Sequence, residues 1–373
     1  MNPESRPQLD GKEKWHHFQK DDSAVSSRRR LVKGPPLLVF LALSLVGAAL
    51  YALTLGPAAI PVEETVHILL ERLPLVGRYW AQSWPTNHQV IIWDLRLPRV
   101  LLAILVGSSL AVAGAAMQGL FRNPLADPYI LGVSAGAALG ASSAIVFKLN
   151  FQFFGLSTVP LAAFLGSLLA VFLVYQLGRT GTLLPVGTLL LAGVAVGSFF
   201  SALTSLLLVF FSDDLHQVFF WLLGGFSGRG WTHFLMVLPY GLLGQGAIYY
   251  YSRELNLTLL GEETALNLGV EVEKVRRQLL VVASLTAAAS VAASGIIGFV
   301  GLIVPHLLRL LVGPDHRFLL PASALGGGLF LLLADTAART LIPPTEIPVG
   351  TITAFFGAPF FLYLLRRRRY SGL

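Results

Sequence analysis

Long apolar runs, separated by short polar segments, dominate the chain. A helix needs about 20 apolar residues to cross the hydrocarbon core of a bilayer. Ten runs approach that length, and we predict a spanning helix in each: 37–55, 100–120, 130–147, 161–177, 189–211, 234–251, 279–293, 296–311, 319–338 and 349–365. Only Ser294 and Gly295 separate the seventh run from the eighth, which predicts a tight hairpin. The pattern predicts an all-α membrane protein with ten transmembrane helices.

Three segments outside these runs are also predicted to be helical. Residues 62–73 are short and amphipathic, typical of an interfacial helix on the outer face. Residues 215–226 are too short to cross a bilayer and also fall outside. The polar segment 253–277 contains Glu262 and Glu263, which suit the first turn of a helix, and Gly269, which suits the position after its end. We predict a short helix there, on the cytoplasmic surface.

Composition supports a membrane protein with a polar tail. Hydrophobic residues make up 54% of the chain and charged residues 13%, whereas soluble domains carry about 25% charged residues. Cysteine is absent from the sequence, which excludes disulfides, thiolate metal sites and cysteine nucleophiles. Residues 1–36 are polar and do not form a signal peptide. We predict a disordered cytoplasmic tail over 1–36 and one membrane domain over 37–369.

Basic residues predict the orientation, because Lys and Arg accumulate in cytoplasmic segments. With the N-terminus inside, the ten spans leave few of the 27 basic residues outside: Arg72, Arg78, Arg96, Arg99, Lys148, Arg229 and Arg339. An odd number of spans would place the run Arg366 to Arg369 outside as well. Both termini are therefore predicted to be cytoplasmic.

Several kinds of chemistry are missing from the sequence. It contains no P-loop for ATP and no zinc-protease motif. Asp335 lies well inside a span and four residues before Arg339, which favours an intramembrane ion pair, structural or functional. His306 follows Pro305 and is interpreted as a packed residue rather than a ligand. The chain resembles a transport pathway whose energy source lies on another protein. No set of catalytic residues supports a membrane enzyme. An ion-coupled secondary transporter is the other alternative, although such proteins usually contain more intramembrane acids.

Seven strings, taken in order, resemble one family, the permeases of binding-protein-dependent ABC importers for iron-siderophores, haem and cobalamin. The strings are LRLPR (95–99), GAAMQGLFRNPLADPYILGVSAG (114–136), LLLAGVAVG (189–197), FWLLGGF (220–226), LGEETALNLGV (260–270), GFVGLIVPHLLR (298–309) and LLADTAAR (332–339). The resemblance covers roughly residues 37 to 369. It implies a homodimer in the cytoplasmic membrane of a prokaryote, with two cytoplasmic ATPase subunits and an external substrate-binding protein. ATP and Mg would bind to the ATPase subunits, and neither a cofactor in this chain nor a nucleic acid partner is implied.

The resemblance also implies roles for particular residues. Residues 258–270 match the coupling helices that contact the ATPase, with candidate contacts Leu259, Leu260, Glu262, Glu263, Thr264, Ala265 and Leu268. The inner gate matches Asn123, Pro124, Leu125, Val186, Gly187 and Thr188. Arginines that pair with glutamates of the binding protein match Arg96, Arg99 and Arg339. The implied cargo is a metal chelate, for which we favour a ferric siderophore, with cobalamin and haem as alternatives.

Overall fold

The computed structural model describes residues 34–56, 58–71, 84–151, 157–181 and 183–370, and within these ranges the chain is helical. The predicted tail up to residue 33 and positions 72 and 73 lie outside the described residues. The helices are α1 Gly34–Thr54, α2 Val62–Glu71, α3 Thr86–Leu120, α4 Val133–Val146, α5 Thr158–Gly178, α6 Val186–Phe210, α7 Leu215–Leu222, α8 Trp231–Tyr250, α9 Ser252–Leu259, α10 Glu262–Asn267, α11 Val272–Ser294, α12 Val300–Val312, α13 His316–Thr340 and α14 Val349–Tyr370.

Six of these helices, α1, α3, α5, α6, α11 and α13, are long and apolar enough to cross a membrane. Three shorter apolar helices correspond to α4, α12 and the part of α14 up to residue 363. Helix α8 is 20 residues long and overlaps the sixth predicted span. The prediction of a membrane protein built from apolar helices is confirmed.

Helix α3 occupies the centre of the bundle. From Leu97 to Leu120 nearly every residue is buried, because α8, α11, α12 and α13 all pack against it. Small residues allow the close approach: a Cβ atom added to Gly107 would lie 2.3 Å from the carbonyl oxygen of Gly327, and one added to Gly114 would lie 1.9 Å from that of Gly301. The helix begins at Thr86, well before the predicted start at residue 100, and residues Ile91–Arg96 form a π-helical turn.

A second group of helices, α4, α5 and α6, packs beside this core. A Cβ atom added to Gly136 would lie 2.2 Å from the carbonyl oxygen of Gly166, so α4 and α5 touch through their backbones. Helix α6 contacts the 3-10 turn Pro128–Leu131 in the same way, at Gly193. The opposite face of α6 is exposed at Leu191 and Val209. This face is available to lipid or to another subunit.

The predicted hairpin between the seventh and eighth spans is wrong. Helix α11 ends at Ser294 and α12 begins at Val300, but the two helices make almost no contact because each packs on α3. The connecting segment runs against the end of α7 instead, where a Cβ atom added to Gly295 would lie 2.3 Å from the carbonyl oxygen of Trp221. Helix α12 has 13 residues and is shorter than the predicted span.

Candidate functional site

One polar site lies where α3 and α13 meet the loop 341–348. We call it the Arg99 cluster, and it comprises Arg96, Arg99, Asp335, Arg339 and Glu346. The guanidinium of Arg99 lies between two carboxylates: its Nη2 donates to Oδ1 of Asp335 at 2.8 Å, and its Nη1 donates to Oε1 of Glu346 at 2.9 Å. Its Nε also donates to both oxygens of Asp335, at 3.1 Å. The close packing of α3 on α13 at Gly107 and Gly327 brings these residues of distant sequence together.

The other two arginines of the cluster hold the end of α1. Arg96 donates to the carbonyl oxygens of Leu53 and Thr54 at 2.7 and 3.1 Å, and Arg339 donates to that of Ala52 at 2.6 Å. The last carbonyls of a helix have no partners within the helix and carry partial negative charge. Helix α1 has no basic residue in its last turn, so these side chains from α3 and α13 satisfy its end.

All three arginines that the sequence predicts as docking residues therefore make internal contacts. Arg96 and Arg339 are each only 6% exposed, and the Arg99 side chain is 12% exposed. The predicted pair between Asp335 and Arg339 is present but long, at 3.8 Å, because Arg99 is the closer partner of Asp335. Docking through these residues stays a prediction.

Two adjoining cavities open beside the Arg99 cluster, with volumes of about 810 and 440 Å³. Both are lined by Arg99, Glu346 and Arg229, the last of which lies on the loop between α7 and α8. Burial lowers the pKa of Arg229. Burial would raise the pKa of Glu346, but its hydrogen bonds and ion pair with Arg99 outweigh this effect and lower that pKa. Glu346 is thus held as a carboxylate at the cavity wall.

The second polar site lies at the opposite end of α3. We call it the Glu262 cluster, and it comprises Arg122, Glu262, Glu273 and Arg276. The buried guanidinium of Arg276 donates through Nη2 to Oε1 of Glu262 at 2.6 Å and through Nη1 to Oε1 of Glu273 at 2.5 Å. Arg122 reaches the same Glu262 oxygen at 3.4 Å. The first turn of α10 is therefore tied to α11 and to the end of α3.

The Glu262 cluster also holds the segment that precedes α6. The backbone N–H of Leu184 donates to Oε2 of Glu273 at 3.1 Å, and Arg276 donates to the carbonyl oxygen of Leu184 at 3.3 Å. This peptide comes directly before Pro185, where α6 begins. This cluster was not predicted from the sequence: the i,i+3 spacing of Glu273 and Arg276 is a signal for a local pair, but no sequence pattern indicates a contact with residue 184.

The predicted short helix is present as α10, and Gly269 adopts the left-handed conformation one residue beyond the C-cap Leu268. Leu260 and Leu268 are more than half exposed, at 64% and 54%, as a partner surface requires, and Leu259 is 38% exposed. Leu266, which the sequence analysis omitted, is equally exposed at 59%. Ala265 is fully buried against the bundle, so its prediction as a partner contact is wrong.

Two further residues of the predicted coupling surface, Glu263 and Thr264, are exposed. Glu262 differs from them because its carboxylate points to Arg276 and Arg122. The two glutamates of this turn therefore have different surroundings: one is tied to the bundle and the other faces away from it.

The two predicted gate segments lie at this same end. Asn123 accepts a hydrogen bond from the backbone N–H of Leu125 at 3.0 Å, which closes a turn after α3 as expected of an Asn-Pro sequence. Val186, Gly187 and Thr188 form the first turn of α6, and a Cβ atom added to Gly187 would meet nothing within 4 Å. Arg122 directly precedes the first gate segment, and Leu184 lies just before the second. The Glu262 cluster contacts both residues and so connects the two segments.

Comparison with known proteins agrees with this architecture. Residues 42–367 match the FecCD transport family. The chain belongs to this family. It is 47% identical over 328 residues to the cobalamin import system permease protein BtuC of Halobacterium salinarum, covering 84% of this chain and 87% of that protein. It is 44% identical over 297 residues to the hemin transport system permease protein HmuU of Yersinia pestis, covering 77% and 87%.

A solved structure gives the same result. A metal-chelate type ABC transporter in an inward-facing conformation superposes with a TM-score of 0.76 at 36% sequence identity, covering 89% of this chain and 99% of that one. The chain is thus a permease of the type II ABC importer family, which transports metal chelates and obtains its ATPase from partner subunits. No group of three or more His, Asp or Glu side chains suited to a metal ion lies among the residues that the structure describes.

Proposed function

We propose that this permease forms a homodimer that imports a ferric siderophore into the cytoplasm of a prokaryote, together with two ATPase subunits and an external substrate-binding protein. The observation that carries the proposal is the geometry of α10. Its leucines are exposed, as docking into a groove on a partner requires, while Glu262 is tied to the bundle. A short helix with these two properties can pass a movement of the ATPase to the membrane helices.

The topology that we propose has ten spans, with residues 37–369 as the membrane domain, the tail 1–36 in the cytoplasm and both termini inside. The Arg99 cluster is then outer and the Glu262 cluster inner. Because the chain has no cysteine, single Leu341→Cys and Leu266→Cys variants test the orientation; both positions are exposed. A membrane-impermeant maleimide should label the first variant in intact cells and the second only after the membrane is opened. The reverse pattern would contradict the proposed orientation.

Docking of the binding protein is proposed at the Arg99 cluster. Arg99 is the arginine of the cluster that lines both outer cavities, and it pairs with a partly exposed carboxylate. Arginine suits this role because its planar fork holds carboxylates in two-pronged pairs. Arg96 and Arg339 support Arg99 by fixing the end of α1 next to it.

Cobalamin is the second candidate cargo, favoured by the 47% identity to a cobalamin permease. The segment Pro185-Val186-Gly187-Thr188 contains a single hydroxyl. The family resemblance implies more hydroxyls at this place in a cobalamin permease, and on that ground we favour the siderophore. Uptake into proteoliposomes containing the permease, its ATPase and its binding protein separates the two, with haem as a third cargo. We expect ATP-dependent uptake of a radiolabelled ferric siderophore in excess of the others. Preferential uptake of cobalamin or haem would reassign the cargo, and uptake without ATP would contradict an ATPase-driven importer.

A further inference from the structure

Glu346 occupies one of the two sides of Arg99. Asp335 accepts from Nε and Nη2, and Glu346 accepts from Nη1 with both of its oxygens, at 2.9 and 3.1 Å. A two-pronged pair with a carboxylate from another protein needs either Nε with Nη2 or Nη1 with Nη2 of Arg99. Asp335 occupies the first of these edges and Glu346 occupies Nη1 of the second, so one of the two internal carboxylates must leave before such a pair forms.

Only Glu346 is placed to leave. Its side chain is 36% exposed and it lies on the loop 341–348, whereas Asp335 is fully buried within α13. Release of Asp335 would strand a charge inside the bundle, while release of Glu346 transfers its carboxylate to water. Because the Glu346 side chain is partly exposed, water competes with Arg99 for its carboxylate, which makes this pair weaker than the one with the buried Asp335.

The charges of the site favour a replacement. The Arg99 cluster contains three arginines and two carboxylates and so has a net charge of +1, which rises to +2 once Glu346 has left. The vacated place opens to both cavities, and Nε of Arg229, which lines them, has no hydrogen-bond partner among the described residues. One incoming carboxylate would restore the original net charge and find the Nη1 donors of Arg99 free.

We propose that Glu346 is an internal competitor that occupies the carboxylate site of Arg99 until an acidic side chain of the substrate-binding protein displaces it. The proposal rests on the proposed docking at the Arg99 cluster. The exchange substitutes one carboxylate for another, so it is close to balanced in energy and reversible. It also frees the loop that joins α13 to α14, and docking thereby acts on two helices of the bundle.

The test measures association of the binding protein with the permease–ATPase complex in nanodiscs by surface plasmon resonance. Glu346→Gln should accelerate association about fivefold, because the competing charge is gone, and should steepen its dependence on salt. Glu346→Asp keeps the charge but shortens the reach to Arg99, so it should give a smaller acceleration. Asp213→Asn removes one exposed negative charge of the same face and is the matched control, expected to stay within about 1.5-fold of the wild type.

The Arg99→Gln variant distinguishes this proposal from the docking proposal on which it rests. If Arg99→Gln slows association and Glu346→Gln accelerates it in the wild type but not in the Arg99→Gln background, competition is established. If Arg99→Gln slows association while Glu346→Gln changes it no more than Asp213→Asn does, docking stands and Glu346 is not a competitor. If neither Arg99→Gln nor Glu346→Gln alters association, both proposals fail. An acceleration by Glu346→Gln that persists without Arg99 would also overturn the competitor, since it would reflect general charge.

Discussion

The Arg99 cluster and the Glu262 cluster both consist of arginine–carboxylate pairs, but their carboxylates are buried to very different extents. Asp335 in the first is fully buried, whereas Glu262 and Glu273 in the second are 43% and 35% exposed. The arginines differ less, since Arg276 is 6% exposed and Arg99 12%. The first cluster fastens α1, α3 and α13 together, and the second joins a surface helix to two segments of the bundle.

This difference decides what each cluster can do. A buried pair that loses one partner leaves an uncompensated charge, so the Arg99–Asp335 pair resists rearrangement. In the Glu262 cluster only the arginine is buried, and water can replace Arg276 as the partner of either carboxylate, so these pairs resist separation less than a fully buried pair does. The buried Arg99–Asp335 pair therefore favours rigidity at that end of the bundle, and we propose that Glu346 and the Glu262 cluster are the parts that move.

The largest expected effect comes from Asp335→Asn, which breaks the buried pair. Arg99 and Arg339 would then face each other without the intervening charge, at a cost of about 3–5 kcal/mol in the free energy of unfolding. Thermal unfolding in detergent, followed by tryptophan fluorescence, measures the loss; failure to accumulate folded protein is the extreme of the same outcome. Glu346→Gln is the control and should cost less than about 1 kcal/mol. Equal losses in the two variants would show that Asp335 and Glu346 do not differ in their contribution to stability, contrary to the proposal.

Leu268→Asp tests the surface of α10. A carboxylate in an apolar contact with the ATPase should reduce transport at least about tenfold while ATP hydrolysis continues, because binding through a groove depends on a few buried apolar side chains. The unfolding midpoint should not change, since Leu268 is exposed in the permease. Asn267→Asp adds the same charge at the adjacent exposed position and should transport nearly normally. Normal transport by Leu268→Asp would exclude this surface as the coupling site.

Arg276→Met tests whether the Glu262 cluster connects α10 to the gate. Removal of the guanidinium releases Glu262, Glu273 and the carbonyl of Leu184 at once, and should cost about 2 kcal/mol of stability. Transport should fall several-fold while ATP hydrolysis persists, as expected if the cluster carries movement between α10 and α6. Lys274→Met is the control, because its pair with Glu271 is exposed and of little consequence. A variant that lost stability but kept normal transport per folded molecule would show that Arg276 is purely structural.

The smallest perturbation is Leu125→Cys, at a half-buried position in the turn after α3. We expect crosslinking between the two subunits in some nucleotide states of the ATPase and not in others, because the turns of a homodimer related by twofold symmetry would approach each other near its axis. Stability and ATP hydrolysis should match the wild type. Crosslinking that is independent of nucleotide, or absent in every state, would count against a moving gate at this turn.

The gate and docking assignments came from resemblance, and their atomic surroundings could not be predicted. An Asn-Pro pair after a long apolar run indicates a turn because both residues favour one locally, and the turn at Asn123 is present. The partners of Arg96, Arg99 and Arg339 depend instead on which helices are neighbours. The hydropathy pattern predicted that these arginines lie on an outer surface. The packing of α3 on α13 and α1 instead gives their side chains partners within the helix bundle.

The sequence by itself determined the features that depend on neighbouring residues along the chain. Apolar runs marked the membrane helices, and Glu262 and Gly269 marked the ends of α10. Only the tertiary structure decided that α11 and α12 pack on α3 rather than on each other. It also decided that Arg276 donates to the carbonyl oxygen of Leu184. The physical reason is range: hydropathy and capping act within a few residues, whereas the neighbours of a buried charge are set by the fit between helices far apart in the sequence.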